Sequence, residues 1–322
     1  MQETERLRVG VVGVGSLGRH HARVYAGLPR ASLVGVVDAI PDRAREVAAA
    51  YSTQAFAGYR ELFSKVDAVS VATPTTLHAP IGEEFLGNGI HVLVEKPISN
   101  TLEGADRLIR AASANGRVLQ VGHLERFNPA VRAVRAMVRR PRFFEAHRLG
   151  VFTPRSLDID VILDLMIHDL DIIRLMVPAP PADIQAVGLA ILTGRIDIAN
   201  ARIRFANGCV ANLTASRVST DKVRKLRLFH AREYISLDYT RQDAAVYTVE
   251  HPREQGMPRI VARRIEPARR EPLEAELESF VEACLGRAPV ECSGEDGRAT
   301  LALALEVLAQ AEKAQAQEFD RL

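Results

Sequence analysis

Residues 7–123 carry short, nearly uninterrupted apolar runs, "LRVGVVG", "LVGVVD", "DAVSVATP", "HVLVEKP" and "VLQVGH", separated by segments with helical spacing. Runs of about four to six such residues, alternating with helices of about ten or more, are what a parallel sheet covered on both faces requires. The pattern predicts a doubly wound α/β domain over residues 1–123. Beyond it the periodicity changes. "RFNPAVRAVRAMVRR" predicts a helix with Asn128 as N-cap and Pro129 in its first turn. A strand follows near 143–152, then an apolar helix over about 160–177. Short strands dominate from 184 to 265, and Asn207-Gly208 predicts a two-residue hairpin turn with positive φ at both central positions. Two helices, about 271–286 and 296–318, close the chain. Residues 124–322 therefore read as a second, α+β domain with a mostly antiparallel sheet.

Composition narrows the function classes. A chain of 322 residues with 47% hydrophobic content has core material for two ordinary domains. Through residue 122 there are 13 basic and 12 acidic side chains, and 29 against 28 beyond it, so neither part carries the charge field of a nucleic-acid or membrane-surface binder. The start lacks an apolar leader core, and no run approaches the roughly 18 apolar residues of a membrane span. A cytoplasmic protein is expected. Cys209, Cys284 and Cys292 are too few and too scattered for a disulfide framework or a zinc site.

The first strand ends in "VGVVGVGSLGRHH", which places Gly13, Gly15 and Gly18 in the G-x-G-x-x-G spacing. Gly13 would make the tight turn, Gly15 would let backbone approach a pyrophosphate, and Gly18 would let the helix pack closely on the strand. With Val14, Ser16 and Leu17 this turn is the expected dinucleotide site. Asp38 ends the next strand, where its carboxylate suits the ribose hydroxyls and repels a 2′-phosphate. NAD is therefore expected over NADP, with Arg43 or Arg45 as the residues able to reach back and offset that repulsion.

Ligands of open α/β sheets lie beyond the carboxyl ends of the strands. "ATPTTLH" (72–78) and "EKP" (95–97) should therefore border the cofactor, with Thr73 and Pro74 on the nicotinamide side. His78 is read either as part of that edge or as a helix-start histidine without a chemical role. Only five of the 42 basic residues are lysine, and one of them, Lys96, ends a buried strand between Glu95 and Pro97. An ammonium there could steady the negative charge that grows on a substrate oxygen as hydride leaves. The alternative is an ion pair with Glu95.

"GVGSLG", Asp38, "VATPTTLH", "EKP", "GHLERFNP", "LDLMIHDLD" and "GEDGRATLALAL" together resemble the Gfo/Idh/MocA family of sugar and polyol oxidoreductases, over essentially the whole chain. The resemblance implies a Rossmann domain followed by a domain whose open sheet forms a homodimer or homotetramer interface. It also implies that Lys96, Asp164 and His168 share the active site. On the helix of "DLMIHDLD", Asp164 and His168 stand at i, i+4 and Asp171 at i+3 from His168. A metal would need further ligands, and the chain offers no obvious further cluster; no metal is expected. A histidine titrating near neutrality suits removal of a hydroxyl proton, so His168 is the expected base and Asp164 the residue that orients it or the sugar. Asp171 is read either as a brace for His168 from the next turn or as a cap on a polar seam between the domains.

"GHLERFNPAV" is most similar to the subgroup acting on the 3-hydroxyl of UDP-N-acetylglucosamine or its uronic-acid relative, ahead of transamination to a diamino sugar. Arg126, Phe127 and Asn128, just before a helix N-terminus, are then expected at the nucleotide sugar. The alternative reading is an ordinary N-cap, with Arg126 in an interdomain salt bridge. Met166 stands where many family members have glycine, which argues against carrying over the inositol or free-glucose activities. An inositol-type dehydrogenase, or an NAD-dependent glycosidase of the same fold that oxidises its sugar only transiently, are the competing functions.

Overall fold

The computed structural model of the protein describes residues 6–153, 159–230, 233–250 and 257–319. The first part of the chain runs β1 (Leu7–Val12), α1 (Gly18–Gly27), β2 (Ala31–Val37), α2 (Pro41–Ala50), β3 (Gln54–Phe56), β4 (Ala68–Val71), α3 (His78–Gly87), β5 (His91–Glu95), α4 (Leu102–Asn115) and β6 (Leu119–Gly122). It continues through α5 (Pro129–Met137), β7 (Phe143–Leu149), α6 (Ile167–Met176), β8 (Pro181–Leu189), β9 (Ile198–Phe205), β10 (Val210–Ser216) and β11 (Val223–Phe229). It ends with β12 (Glu233–Asp238), β13 (Asp243–Glu250), β14 (Arg259–Ile265), α7 (Pro272–Cys284) and α8 (Gly294–Phe319).

Two compact units result. The chain up to Leu124 joins Glu271–Leu301 in the first, and Glu125–Arg270 joins the chain from Ala302 onward in the second. The sequence pattern places one boundary near 123; the return of 271–301 to the first unit is a tertiary event that periodicity does not display.

In the first unit six parallel strands lie in the order β3-β2-β1-β4-β5-β6. β1, β4 and β5 are apolar nearly throughout because helices cover both faces. Val9, Val11, Tyr25 and Leu93 form one core with Leu277 and Phe280 of α7. The three-residue edge strand β3 is too short to carry a pattern and is absent from the sequence reading. Because the strands are parallel and begin at β1, the turns after β1, β2, β4 and β5 lie at one edge of the sheet. Backbone bonds tie them together: the Gly13 amide donates to Val37 O and the Ala72 amide to Val12 O, each at 2.8 Å.

The second unit holds an eight-stranded sheet, β14-β13-β12-β11-β7-β10-β9-β8, antiparallel except for β7 beside β10. Along β9 burial alternates residue by residue, so one face carries the core. Ile167, Leu170 and Ile173 of α6 pack in that core with Phe144, Phe205 and Leu228. Each such side chain contributes roughly 1.5–3 kcal/mol through burial. The β9–β10 turn differs from the two-residue form expected. Gly208 N–H donates to Phe205 O at 2.9 Å, and of the two named residues only Gly208 takes positive φ, at 81°. Asn207 instead accepts from the Cys209 amide at 3.0 Å, which closes a longer turn ending in a left-handed glycine.

Candidate active site

The glycine turn of the first unit has the geometry its spacing predicts. Gly13 has φ of 85°, and a Cβ there would lie 2.7 Å from Ala72 O. A Cβ on Gly18 would lie 1.8 Å from Gly13 O, so α1 can start against the turn only without a side chain. At Gly15 a Cβ would meet nothing nearer than Arg43 Nη1 at 3.6 Å. That open space beside main chain and a helix N-terminus fits a pyrophosphate. Val14 enters the core and offers only its backbone, whereas Ser16 and Leu17 are exposed at the helix start.

Asp38 is built into this turn. Its Oδ2 accepts from the Val14 amide and its Oδ1 from the Ile40 amide, both at 2.9 Å. Arg43 Nη1 stands 3.3 Å from Oδ1, while Arg45 pairs with Asp42. Of the two arginines able to reach back, Arg43 does so.

Beyond β4, the Thr73 carbonyl and Pro74 lead into a short 3-10 turn that ends at His78. His78 is buried, with Nδ1 2.8 Å from Pro97 O and Nε2 2.9 Å from Thr73 O. Both partners only accept, so a neutral ring donates to one of them and an imidazolium to both. Burial outweighs the two carbonyls and holds the pKa below the usual histidine value, favouring the neutral ring. The ring thus stands between the Thr73 segment and the Lys96-Pro97 segment and, when neutral, donates to one of their two carbonyls.

Lys96 follows β5 and precedes a cis peptide bond to Pro97. The Glu95 carboxylate is turned inward. Its Oε1 lies 3.0 Å from His21 Nε2 of α1, and its Oε2 accepts from the Lys96 backbone amide at 3.2 Å. Gly122 makes room for it, since a Cβ there would lie 2.9 Å from the Glu95 carboxyl carbon. Burial alone would raise the Glu95 pKa; the His21 bond and the charges of His21 and Lys96 outweigh it and bring the pKa below the usual value.

In the second unit, the segment carrying Asp164 is a π turn, Ile162–Met166, that leads into α6. The Ile167 amide bonds to Ile162 O, five residues back, so the turn that carries Asp164 is wider than the α-helical turn expected from the spacing. Both side chains are half-buried. Asp160 anchors the start of this segment by accepting from the Ile196 amide at 2.9 Å.

Two carboxylates that follow His168 are held by buried arginines. Asp169 receives Arg148 Nε at 2.8 Å and Nη2 at 3.1 Å, and Arg148 Nη1 reaches Glu125 at 3.1 Å while the guanidinium lies 4.8 Å over the Tyr239 ring. Asp171 receives Arg126 Nε and Nη2, each at 2.7 Å. Bidentate pairing at 169 and 171 fixes the rotation of α6, and with it the direction of His168. Sequence reasoning missed Glu125, Arg148, Asp169 and Tyr239 here, and His21 in the first unit.

Arg126, Phe127 and Asn128, expected at the sugar, are instead buried in the second unit. Arg126 faces Asp171, and Arg132 lies over the Phe127 ring at 5.1 Å. Asn128 caps α5 by accepting from the Ala130 amide at 3.1 Å, and donates to Tyr239 O and Glu125. Asn128 is the N-cap of the alternative reading, whereas the Arg126 ion pair lies within the second unit and not between domains.

Comparison with known proteins agrees with both units. Residues 7–123 match the oxidoreductase family with an NAD-binding Rossmann fold, and residues 130–234 match the GFO/IDH/MocA C-terminal domain. The chain belongs to the GFO/IDH/MocA oxidoreductase family. Within that family it is 43% identical, over 94% of its length and 96% of the relative's, to UDP-N-acetylglucosamine 3-dehydrogenase of Acidithiobacillus ferrooxidans. A solved structure of that enzyme superposes with a TM-score of 0.91, covering 96% of this chain and 98% of the other. An inositol 2-dehydrogenase of Rhizobium meliloti is 28% identical over 92% of this chain and 94% of its own. Levoglucosan dehydrogenase in complex with NADH and levoglucosan, at 21% identity, shares the fold, with a TM-score of 0.84 over 96% of this chain and 98% of its own.

Proposed function

We propose that the protein oxidises the 3-hydroxyl of UDP-N-acetylglucosamine with NAD as hydride acceptor. The observation that carries this reading is the 43% identity, along nearly the full length of both chains, to an enzyme of that name. NAD supplies the carbon that accepts the hydride. Gly13, Gly15 and the start of α1 would hold its pyrophosphate, Asp38 its adenosine ribose, and Thr73 and Pro74 its nicotinamide side. Preference for NAD over NADP rests on the Asp38 carboxylate.

In this reading three side chains serve the substrate. The His168 imidazole takes the proton of the hydroxyl, as an imidazole titrating near neutrality can. Asp164 orients that ring or the sugar, and the Lys96 ammonium steadies the oxygen as its negative charge grows. Arg126, Asn128 and Arg148 act behind them by holding α6 and its approach. Assembly into a homodimer or homotetramer through the eight-stranded sheet belongs to the same proposal.

Similarity to inositol dehydrogenases supports a second reading at lower identity. Purified protein incubated with NAD and a panel of UDP-sugars, free hexoses and inositols, followed by NADH absorbance, separates the two. UDP-N-acetylglucosamine should be turned over, and reduction of the product with borodeuteride should place deuterium at C3. Turnover of an inositol with none of any nucleotide sugar would overturn the proposal. Lys96→Met and His168→Ala should each lower turnover with NADH binding nearly intact.

A further inference from the structure

Helix α7 brings a carboxyl into the first unit that the proposed chemistry does not use. Glu276 is fully buried, and neither of its oxygens has a hydrogen-bond partner among the described residues. A carboxylate so placed would lose its hydration without replacement, so the neutral acid is the form this setting admits. Burial first, and the charge of Glu95 second, push its pKa well above the carboxylate range.

Glu95 has the opposite surroundings. It receives His21 on one oxygen and the Lys96 amide on the other, and its pKa is lowered. Two carboxyls that feel one another in a low-dielectric interior do not both ionise, and these surroundings divide the roles: Glu95 ionised, Glu276 protonated. The buried His21 keeps Nδ1 without a partner among the described residues. Gln120, also buried, reaches the Glu276 backbone oxygen with Nε2 at 3.3 Å and has no partner for Oε1 among the described residues.

The other ionisable groups that act on this pair are accounted for. Tyr25 of α1 bonds Ser70 at 2.8 Å and is held as the neutral phenol by burial; His78 of α3 is kept neutral by burial; Lys96 is the neighbour in the chain. The cluster thus joins α1, which begins at the cofactor turn, to the backbone of Lys96.

We propose that His21, Glu95 and Glu276 form a buried positioning triad behind Lys96: His21 orients the Glu95 carboxylate, Glu95 holds the Lys96 amide, and Glu276 keeps a proton so that the two carboxyls carry one negative charge. The triad touches neither substrate nor cofactor. It rests on the reading of Lys96 as the group that steadies the substrate oxygen. Loss of the His21 donor should raise the Glu95 pKa, so that Glu95 takes up a proton, and Lys96 loses its anchor, at a higher pH than in the wild type.

Two measurements test it. The infrared difference spectrum between wild type and Glu276→Gln at neutral pH needs no turnover; it should contain the C=O stretch of a protonated carboxyl, and an ionised carboxylate signal in its place overturns the proposal. In the second, His21→Ala should lower kcat about 10- to 100-fold with NADH affinity unchanged, and should move the acidic limb of kcat upward by about one pH unit. His21→Gln, whose side-chain amide can still donate to Glu95 but carries no charge, should move the limb less than His21→Ala. A limb that stays in place in His21→Ala, or moves as far in His21→Gln, overturns the triad. If wild-type protein turns over no sugar, the functional reading fails and the infrared result alone decides.

Discussion

Arg126 and Asp171, 45 residues apart in sequence, meet as a two-bond pair inside the second unit, both N···O distances being 2.7 Å. The pair gives Asp171 a buried arginine partner, where the sequence offers a brace for His168 or a cap on a polar seam between the domains. It also commits Nε and Nη2 of Arg126 to the helix that carries His168. Removing one partner of so buried a pair leaves the other charge uncompensated, whereas removing both does not.

Arg126→Met alone should therefore lower stability by about 3–5 kcal/mol, and Arg126→Met combined with Asp171→Leu should recover most of that loss. Guanidinium unfolding of the single and double variants measures it. Additive losses in the double variant would contradict a coupled pair.

The glycine turn separates folding from binding at two positions. Gly18→Ala drives a Cβ into Gly13 O and should destabilise the first unit by about 1–3 kcal/mol. Gly15→Ala meets only the end of the Arg43 side chain and should melt like the wild type, yet bind NADH about tenfold more weakly, because the added methyl occupies the space read as the phosphate site. Melting curves and NADH fluorescence titrations on both variants give the comparison; equal NADH affinity in Gly15→Ala would move the phosphate elsewhere.

Cofactor choice should turn on Asp38 and Arg43 together. With Asp38→Ser the carboxylate is gone and Arg43 is released toward a 2′-phosphate, so affinity for NADPH should rise about tenfold relative to NADH. Asp38→Ser with Arg43→Ala should lose that gain. Dissociation constants for the two cofactors decide, and an unchanged ratio in Asp38→Ser would remove Asp38 from cofactor selection.

Glu276 makes a signed prediction for stability against pH. Its folded pKa lies well above the unfolded value of about 4.3. From that unfolded value upward the unfolded chain releases a proton that the folded state still holds, so this group's contribution falls as pH rises, until the folded pKa is reached. Glu276→Gln lacks that loss. Its melting temperature relative to wild type should increase with pH above about 4.3. Glu95, whose pKa is lowered, works the other way: its contribution is present above the unfolded value and disappears as pH falls through the folded one. A Glu276→Gln difference that is flat with pH would show that the acid is ionised in the folded protein.

The apolar runs of β1, β2, β4, β5 and β6, the glycine turn with Asp38, the Asn128 cap and the position of Lys96 at a strand end are all legible in the amino-acid sequence. Each depends on interactions within a few residues or on a period of the chain: positive φ at Gly13, the missing Cβ at Gly18, the Asn128 side-chain oxygen two residues from the amide it caps. The order of such signals carries the resemblance to the family without any contact between distant residues being known.

What the tertiary structure decided are pairings that no local period encodes. His21 meets Glu95 across 74 residues, Arg148 meets Asp169 across 21, and Glu276 enters the first unit from a helix that follows the whole second sheet. The π turn at Asp164 is of the same kind, since its widened hydrogen bond leaves the apolar pattern intact. Buried charges need partners, but many carboxylates could satisfy each arginine. Only the register of strands and the rotation of helices choose among them, and that choice is made when the cores close.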